Sequence, residues 1–122
     1  MTIRNVLASV PVRDLAAAKA WYEKLFGRAA DSTPMPEVAE WRFAGGGWLQ
    51  VYAGPARAGG GSFTLSVDDM DQTLADLGAL GLDTGDQGGD PGGGAKVRTV
   101  MIKDPDGNSI AFAWTDDPTM AG

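Results

Sequence analysis

Trp48, Gln50 and Tyr52 stand at every second position of one short segment, the spacing that puts three side chains on one face of a β-strand. An amide set between two aromatic rings suits capture of a flat or cationic molecule by stacking, cation–π attraction and hydrogen bonding. The same rings could equally fill a cavity or a dimer seam. The other chemistry is limited by what is missing. The chain has no His and no Cys, which excludes an imidazole base, a serine–histidine triad, a His-ligated zinc and any thiolate site. Carboxylates, Lys, Tyr, Ser/Thr and the backbone remain.

Several acidic and glycine-rich patterns invite stronger readings. Asp68-Asp69 resembles a carboxylate pair for acid–base work, where repulsion raises one pKa. It also precedes a helical pattern, and a helix start favours Asp through its unpaired amides and dipole, so we read it as a cap. Glu37 and Glu40 enter a strand and either reach a cavity mouth or stay solvated; both readings stand. Asp104, Asp106 and Asn108 alternate as in a calcium loop, but Ser109 and Thr115 occupy the places that need Gly and a carboxylate, so the segment reads as a turn. Lys96 follows three glycines, yet its neighbours Ala95 and Val97 break the phosphate-loop pattern.

The elements that position these residues repeat. Val10-Pro11-Val12-Arg13-Asp14-Leu15 leads into a run carrying Ala18, Tyr22, Leu25 and Phe26, and Leu65 through Met70 leads into a run carrying Leu74, Leu77 and Leu80. An offset of 55 maps Val12 to Val67, Asp14 to Asp69 and Leu25 to Leu80. Both runs place apolar residues at helical steps of three and four, and Gly27 and Gly81 sit where each helix would stop. Asp69 with Gln72 resembles a capping box. Strands follow each helix: Glu40–Ala44 and Trp48–Tyr52 about Gly45–Gly47, then Val97–Lys103 and Ser109–Trp114 about the Asp104–Asn108 turn. Alternation in Ser62–Val67 turns Phe63, Leu65 and Val67 to the helices, with Ser62, Thr64 and Ser66 opposite. Leu49 and Val51 likewise face inward, as do Ile110 and Phe112 against Ala111 and Ala113. Trp21, beside Tyr22, reads as helix packing or a dimer contact.

The predicted fold is α+β: two βαβββ modules, each a curved mixed sheet with a helix on its outer face. We place the first at 1–54, a flexible Gly-rich linker at 55–61, the second at 62–118 and a tail at 119–122. Gly85 through Gly94 reads as a loop. A length of 122 residues with 43% hydrophobic content suits one domain or two half-domains. The net charge of −6 argues against nucleic acid and anionic membrane as partners, and no apolar stretch reaches the roughly 20 residues of a membrane span. A cytoplasmic setting is expected, since no secretory signal pattern opens the chain.

Val12-Arg13-Asp14-Leu15 running into Trp21–Gly27, the Val67-Asp68-Asp69 repeat and Asp104–Asn108 together resemble the glyoxalase, bleomycin-resistance and extradiol-dioxygenase (vicinal oxygen chelate) superfamily. The resemblance spans nearly the whole chain. It implies paired βαβββ modules around a cavity, commonly in a homodimer, and in the enzymes one divalent metal held by four His or Glu side chains. Those positions fall on Leu7, Gln50, Ser62 and Ala111. None is anionic or an imidazole, so no metal and no cofactor are expected. The candidate ligand-binding set is Leu7, Ser9, Trp48, Gln50, Tyr52, Ser62, Thr64 and Ala111; no catalytic residue is assigned. The leading function is binding or sequestering a small organic molecule, as bleomycin-resistance proteins do. The alternatives are a glyoxalase-like lyase or isomerase acting beside a carbonyl, and a non-catalytic partner-binding dimer.

Overall fold

The computed structural model describes residues 1–85, 88–89 and 97–116. Most of the 85–94 stretch, Lys96 and the 119–122 tail lie outside them. The described chain forms β1 (Leu7–Val12), α1 (Leu15–Phe26), β2 (Ser32–Met35), β3 (Val38–Arg42), β4 (Trp48–Ala53), β5 (Ser62–Ser66), α2 (Met70–Ala79), β6 (Gly88–Gly89), β7 (Val97–Lys103) and β8 (Ser109–Thr115). The order is βαβββ twice. One sheet runs β1-β4-β3-β2 and the other β5-β8-β7-β6. In each, the strand before the helix pairs in parallel with the module's last strand, and the remaining pairs are antiparallel.

The residues group into two compact units. Met1–Gly61 joins with Asp104–Asn108, while Ser62–Lys103 joins with the chain from Ser109 onward. The turn between β7 and β8 thus belongs by its contacts to the first unit. Asn108 explains why. Its Nδ2 donates to the Pro11 carbonyl and to Asp104 Oδ2, both at 2.8 Å, while its Oδ1 accepts from the Gly61 amide at 2.7 Å. Asp104 Oδ1 accepts from the amides of Asp106 and Asn108. Both side chains are buried, and buried polar groups must be paired in this way.

Local signals explain the helices. Asp14 caps α1 by accepting from the amides of Ala16 and Ala17, and Gly27 ends it in the left-handed region at φ 72°. Asp69 accepts from the Gln72 amide, but the Gln72 side chain donates onward to Asp76 at 2.8 Å rather than back to the cap. The capping box is therefore one-sided. The second helix carries Met70 and Leu77 into the core of its unit, with Phe63, Val100, Ile102, Ile110 and Phe112.

In the first unit α1 covers one face of the sheet with Ala18 and Tyr22. Tyr22, Phe26 and Trp41 form an aromatic cluster, with ring centroids 5.8, 6.1 and 5.5 Å apart. Trp41 is fully buried, and its indole N–H donates to the Arg28 carbonyl at 3.2 Å. Burial of each such side chain contributes about 1.5–3 kcal/mol. Val10, Val12, Leu49 and Val51 complete this layer.

Three details differ from the sequence reading. β2 was not singled out by pattern, because Thr33-Pro34-Met35-Pro36 carries two prolines and its pairing with β3 shifts register. The 85–94 stretch includes β6, where Gly88 and Gly89 pair with Thr99 and Arg98. The 54–61 segment carries hydrogen-bonded turns, with Arg57 N–H donating to Gly54 O and Gly60 N–H to Arg57 O, both at 3.0 Å. Glycine here serves close approach: a Cβ at Gly61 would stand 2.8 Å from Asn108 Oδ1 and 2.9 Å from Pro11 Cδ.

Candidate functional site

The face of the first sheet opposite α1 is where five of the eight candidates fall. Register pairs Leu7 with Trp48, Ser9 with Gln50 and Pro11 with Tyr52, and on the other side Glu40 with Gln50 and Arg42 with Trp48. Side chains in one such row share a face. Leu7 is 45% exposed, Ser9 is exposed, and Trp48, Gln50 and Tyr52 are half-buried. Their strand neighbours Leu49 and Val51 are buried under the helix, so the predicted alternation holds.

A chain of hydrogen bonds crosses this face over three strands. Ser9 Oγ donates to Gln50 Oε1 at 2.9 Å, and Gln50 Nε2 donates to Glu40 Oε2 at 2.5 Å. Each end of the Gln50 amide thus makes one of its two possible hydrogen bonds. Glu40 keeps acceptor capacity, because a carboxylate offers about four lone-pair sites. The Arg42 guanidinium lies 5.9 Å from the centroid of the Trp48 ring, a cation–π distance.

Glu40 is the residue that sequence reasoning left undecided. Its signal was in the hairpin: Glu40 and Gln50 are equidistant from Gly45, and the turn closes with Phe43 N–H donating to Gly47 O at 2.9 Å. Gly46, at φ 96°, takes the left-handed turn position.

Ser62, Thr64 and Ala111 lie in the second unit. Thr64 pairs with Ala111 and Ser62 with Ser109, which puts the three on the face opposite the buried Phe63, Ile110 and Phe112. Ser62 and Thr64 are exposed and Ala111 half-buried. Lys103 Nζ donates to Ser109 Oγ at 3.4 Å on the same side. Trp41 is a core residue, and Trp114 falls in the Ile110–Phe112 row.

The family model described as Glyoxalase/Bleomycin resistance protein/Dioxygenase superfamily matches residues 4–112. The chain belongs to this superfamily. Among solved structures, a glyoxalase/bleomycin resistance protein from Catenulispora acidiphila is 35% identical, with a TM-score of 0.79 over 91% of this chain and 97% of that one. The antibiotic binding protein TnmS3 from Streptomyces sp. CB03234 is 27% identical, with a TM-score of 0.75 over 95% and 99%. A bleomycin resistance determinant encoded on a transposon is 18% identical, with a TM-score of 0.73 over 94% and 100%, a likeness of fold alone. No curated protein matches the chain.

Membership raises the metal of the superfamily's enzymes. In the first unit Leu7 offers hydrocarbon and Gln50 only a neutral amide oxygen that already accepts from Ser9. In the second, Ser62 offers a neutral hydroxyl and Ala111 a methyl group. A divalent cation needs anionic or imidazole donors to offset lost hydration. This donor set does not fit one. Among the described residues no group of three or more His, Cys, Asp and Glu comes together.

Proposed function

We propose that the protein is a metal-free binder of a small organic molecule, held on the open face of the first sheet. The observation that carries this reading is the Ser9–Gln50–Glu40 chain lying between Trp48 and Tyr52. Aromatic rings give a ligand apolar contact, and Glu40 gives its cationic or hydrogen-bond-donating group a charged partner. Half-buried rings on a face opposite the core are the usual mark of a ligand or partner surface. A relative described as an antibiotic binding protein, 27% identical, supports the ligand class. Ser62, Thr64 and Ala111 belong to the reading as a second polar and small-residue face. It further includes a homodimer in the cytoplasm, without nucleic acid or membrane partners. Among the described residues no helix is long and apolar enough to cross a membrane.

A lyase or isomerase acting beside a carbonyl is less well supported. Glu40 would serve as a base, but one N–H of the adjacent Gln50 donates to Glu40 itself, which leaves a single amide N–H beside it for a developing oxyanion. The test is a titration of purified protein with metal-free bleomycin and planar cationic dyes, followed by tryptophan fluorescence with and without EDTA. Saturable quenching indifferent to chelator supports the proposal. Stoichiometric bound metal by elemental analysis, or binding abolished by EDTA, overturns it. Light scattering at micromolar concentration checks the dimer.

A further inference from the structure

Beside the open face, the first unit has a pocket of about 630 Å³ where Ser9, Pro11 and Tyr52 meet the turn carrying Arg57, Gly60 and Gly61. Ser9 and Tyr52 therefore belong both to the face and to the pocket, so one molecule can reach both. Arg57 is the charged residue of the lining. Arg13, Arg28 and Arg98 are paired with Asp106, Asp31 and Asp71 at 3.3, 2.5 and 3.1 Å. Arg57 has no such partner among the described residues.

The backbone that carries it is held on both flanks. Gly54 N–H donates to Val12 O at 2.9 Å, and Gly61 N–H donates to Asn108 Oδ1 at 2.7 Å. Gly59, at φ 91°, passes so close that a Cβ there would stand 2.5 Å from the Asp106 carbonyl oxygen. A guanidinium on a positioned turn loses less freedom on meeting an anion than one on a free segment.

We infer that this pocket receives a carboxylate of the bound molecule and that Arg57 is the residue selecting for it. This rests on the open face being the binding surface. A guanidinium presents a planar fork that matches a carboxylate, and one positive charge balances one negative charge. A phosphate dianion is disfavoured, because the lining holds no second cation to balance its second charge. With Glu40 serving the other polar end, the ligand is amphoteric: a planar or apolar body with a donor group on one side and a carboxylate on the other.

The experiment compares 2-naphthoate with 2-naphthylmethanol, which share the ring and differ in the anion, by calorimetric titration of wild type and Arg57→Gln. Wild type is expected to bind both. Arg57→Gln should weaken 2-naphthoate about tenfold and leave the alcohol within about twofold, and added NaCl should weaken only the carboxylate. Arg57→Lys keeps the charge without the fork and should lie between; it also serves if the Gln variant fails to fold. Equal affinity of 2-naphthoate for wild type and Arg57→Gln, or an equal loss for both probes, overturns the subsite while leaving the face intact. If neither probe binds wild type, the binding face and the subsite fall together.

Discussion

The Tyr22 hydroxyl donates to Asp104 Oδ2 at 2.8 Å, joining the middle of α1 to a turn 82 residues further along the chain. Both groups are buried, and Asp104 Oδ2 also accepts from Asn108 Nδ2. The bond therefore belongs to a small polar network inside an otherwise apolar core, and such networks are costly to leave half satisfied.

Tyr22→Phe removes the hydroxyl and keeps the ring. We expect a loss of about 1–3 kcal/mol in urea denaturation, since the donor to a buried carboxylate is gone. Burial first, and the Asp104 bond second, hold the Tyr22 phenol well above its ordinary value. The folded state keeps a proton that the unfolded chain releases near the usual tyrosine pKa of about 10. Its contribution is thus complete below that pH and is lost as pH rises beyond it. Tyr22→Phe should show a shallower alkaline decline, and an identical decline in both proteins would refute the assignment.

Asn108→Ala strands the Gly61 amide and the Pro11 carbonyl. The expected cost is at least about 2 kcal/mol, because each unpaired buried group is penalised separately. Gly61→Ala should cost about 1–3 kcal/mol by crowding Asn108 and Pro11. Gly78→Ala, in the last turn of α2 with open space where a Cβ would stand, should be neutral or stabilising by up to about 1 kcal/mol in urea denaturation.

Asp31 gives a prediction on the acid side. Its carboxylate lies below the usual range, first through the Arg42 amide, which donates at 2.7 Å, and then through Arg28. A depressed folded value means the contribution is present above the ordinary carboxylate pKa and fades as pH falls through the lower, folded one. Thermal melts should therefore show wild type losing its advantage over Asp31→Asn as the medium is acidified. A gap that stays constant with pH would count against this.

The two tryptophans of the hairpin should behave oppositely. Trp41→Ala empties a buried site against Tyr22 and Phe26 and should cost about 3–5 kcal/mol. Trp48→Ala removes a half-buried ring on the open face and should spare the melting temperature while weakening quenching by planar ligands. Loss of stability without loss of binding at Trp48 would place that ring in a structural role.

Much of the fold was legible because the chain states its pattern twice. The 55-residue offset, the Asp caps and the alternation about Leu49 and Ile110 follow from local rules, and the elements obey them. β2 escaped because prolines and a register shift hide its period. Five candidates share one face because strand alternation is local, whereas Glu40 joined them only through hairpin register, which depends on where the turn closes. Arg57 was invisible for another reason. Its segment reads as spacer by composition, and only long-range hydrogen bonds to Val12 and Asn108 give it a position.

The orientation of one side-chain amide also sets the charge balance of the open face. Gln50 points its oxygen at Ser9 and its nitrogen at Glu40, so it serves as a neutral spacer between a hydroxyl and an anion. Exchanging that nitrogen for oxygen, as Gln50→Glu would do, sets two carboxylates against each other, a repulsion relieved by taking up a proton or recruiting a positive ion. The neutral amide thus spares Glu40 a like-charged neighbour across the β3–β4 pair.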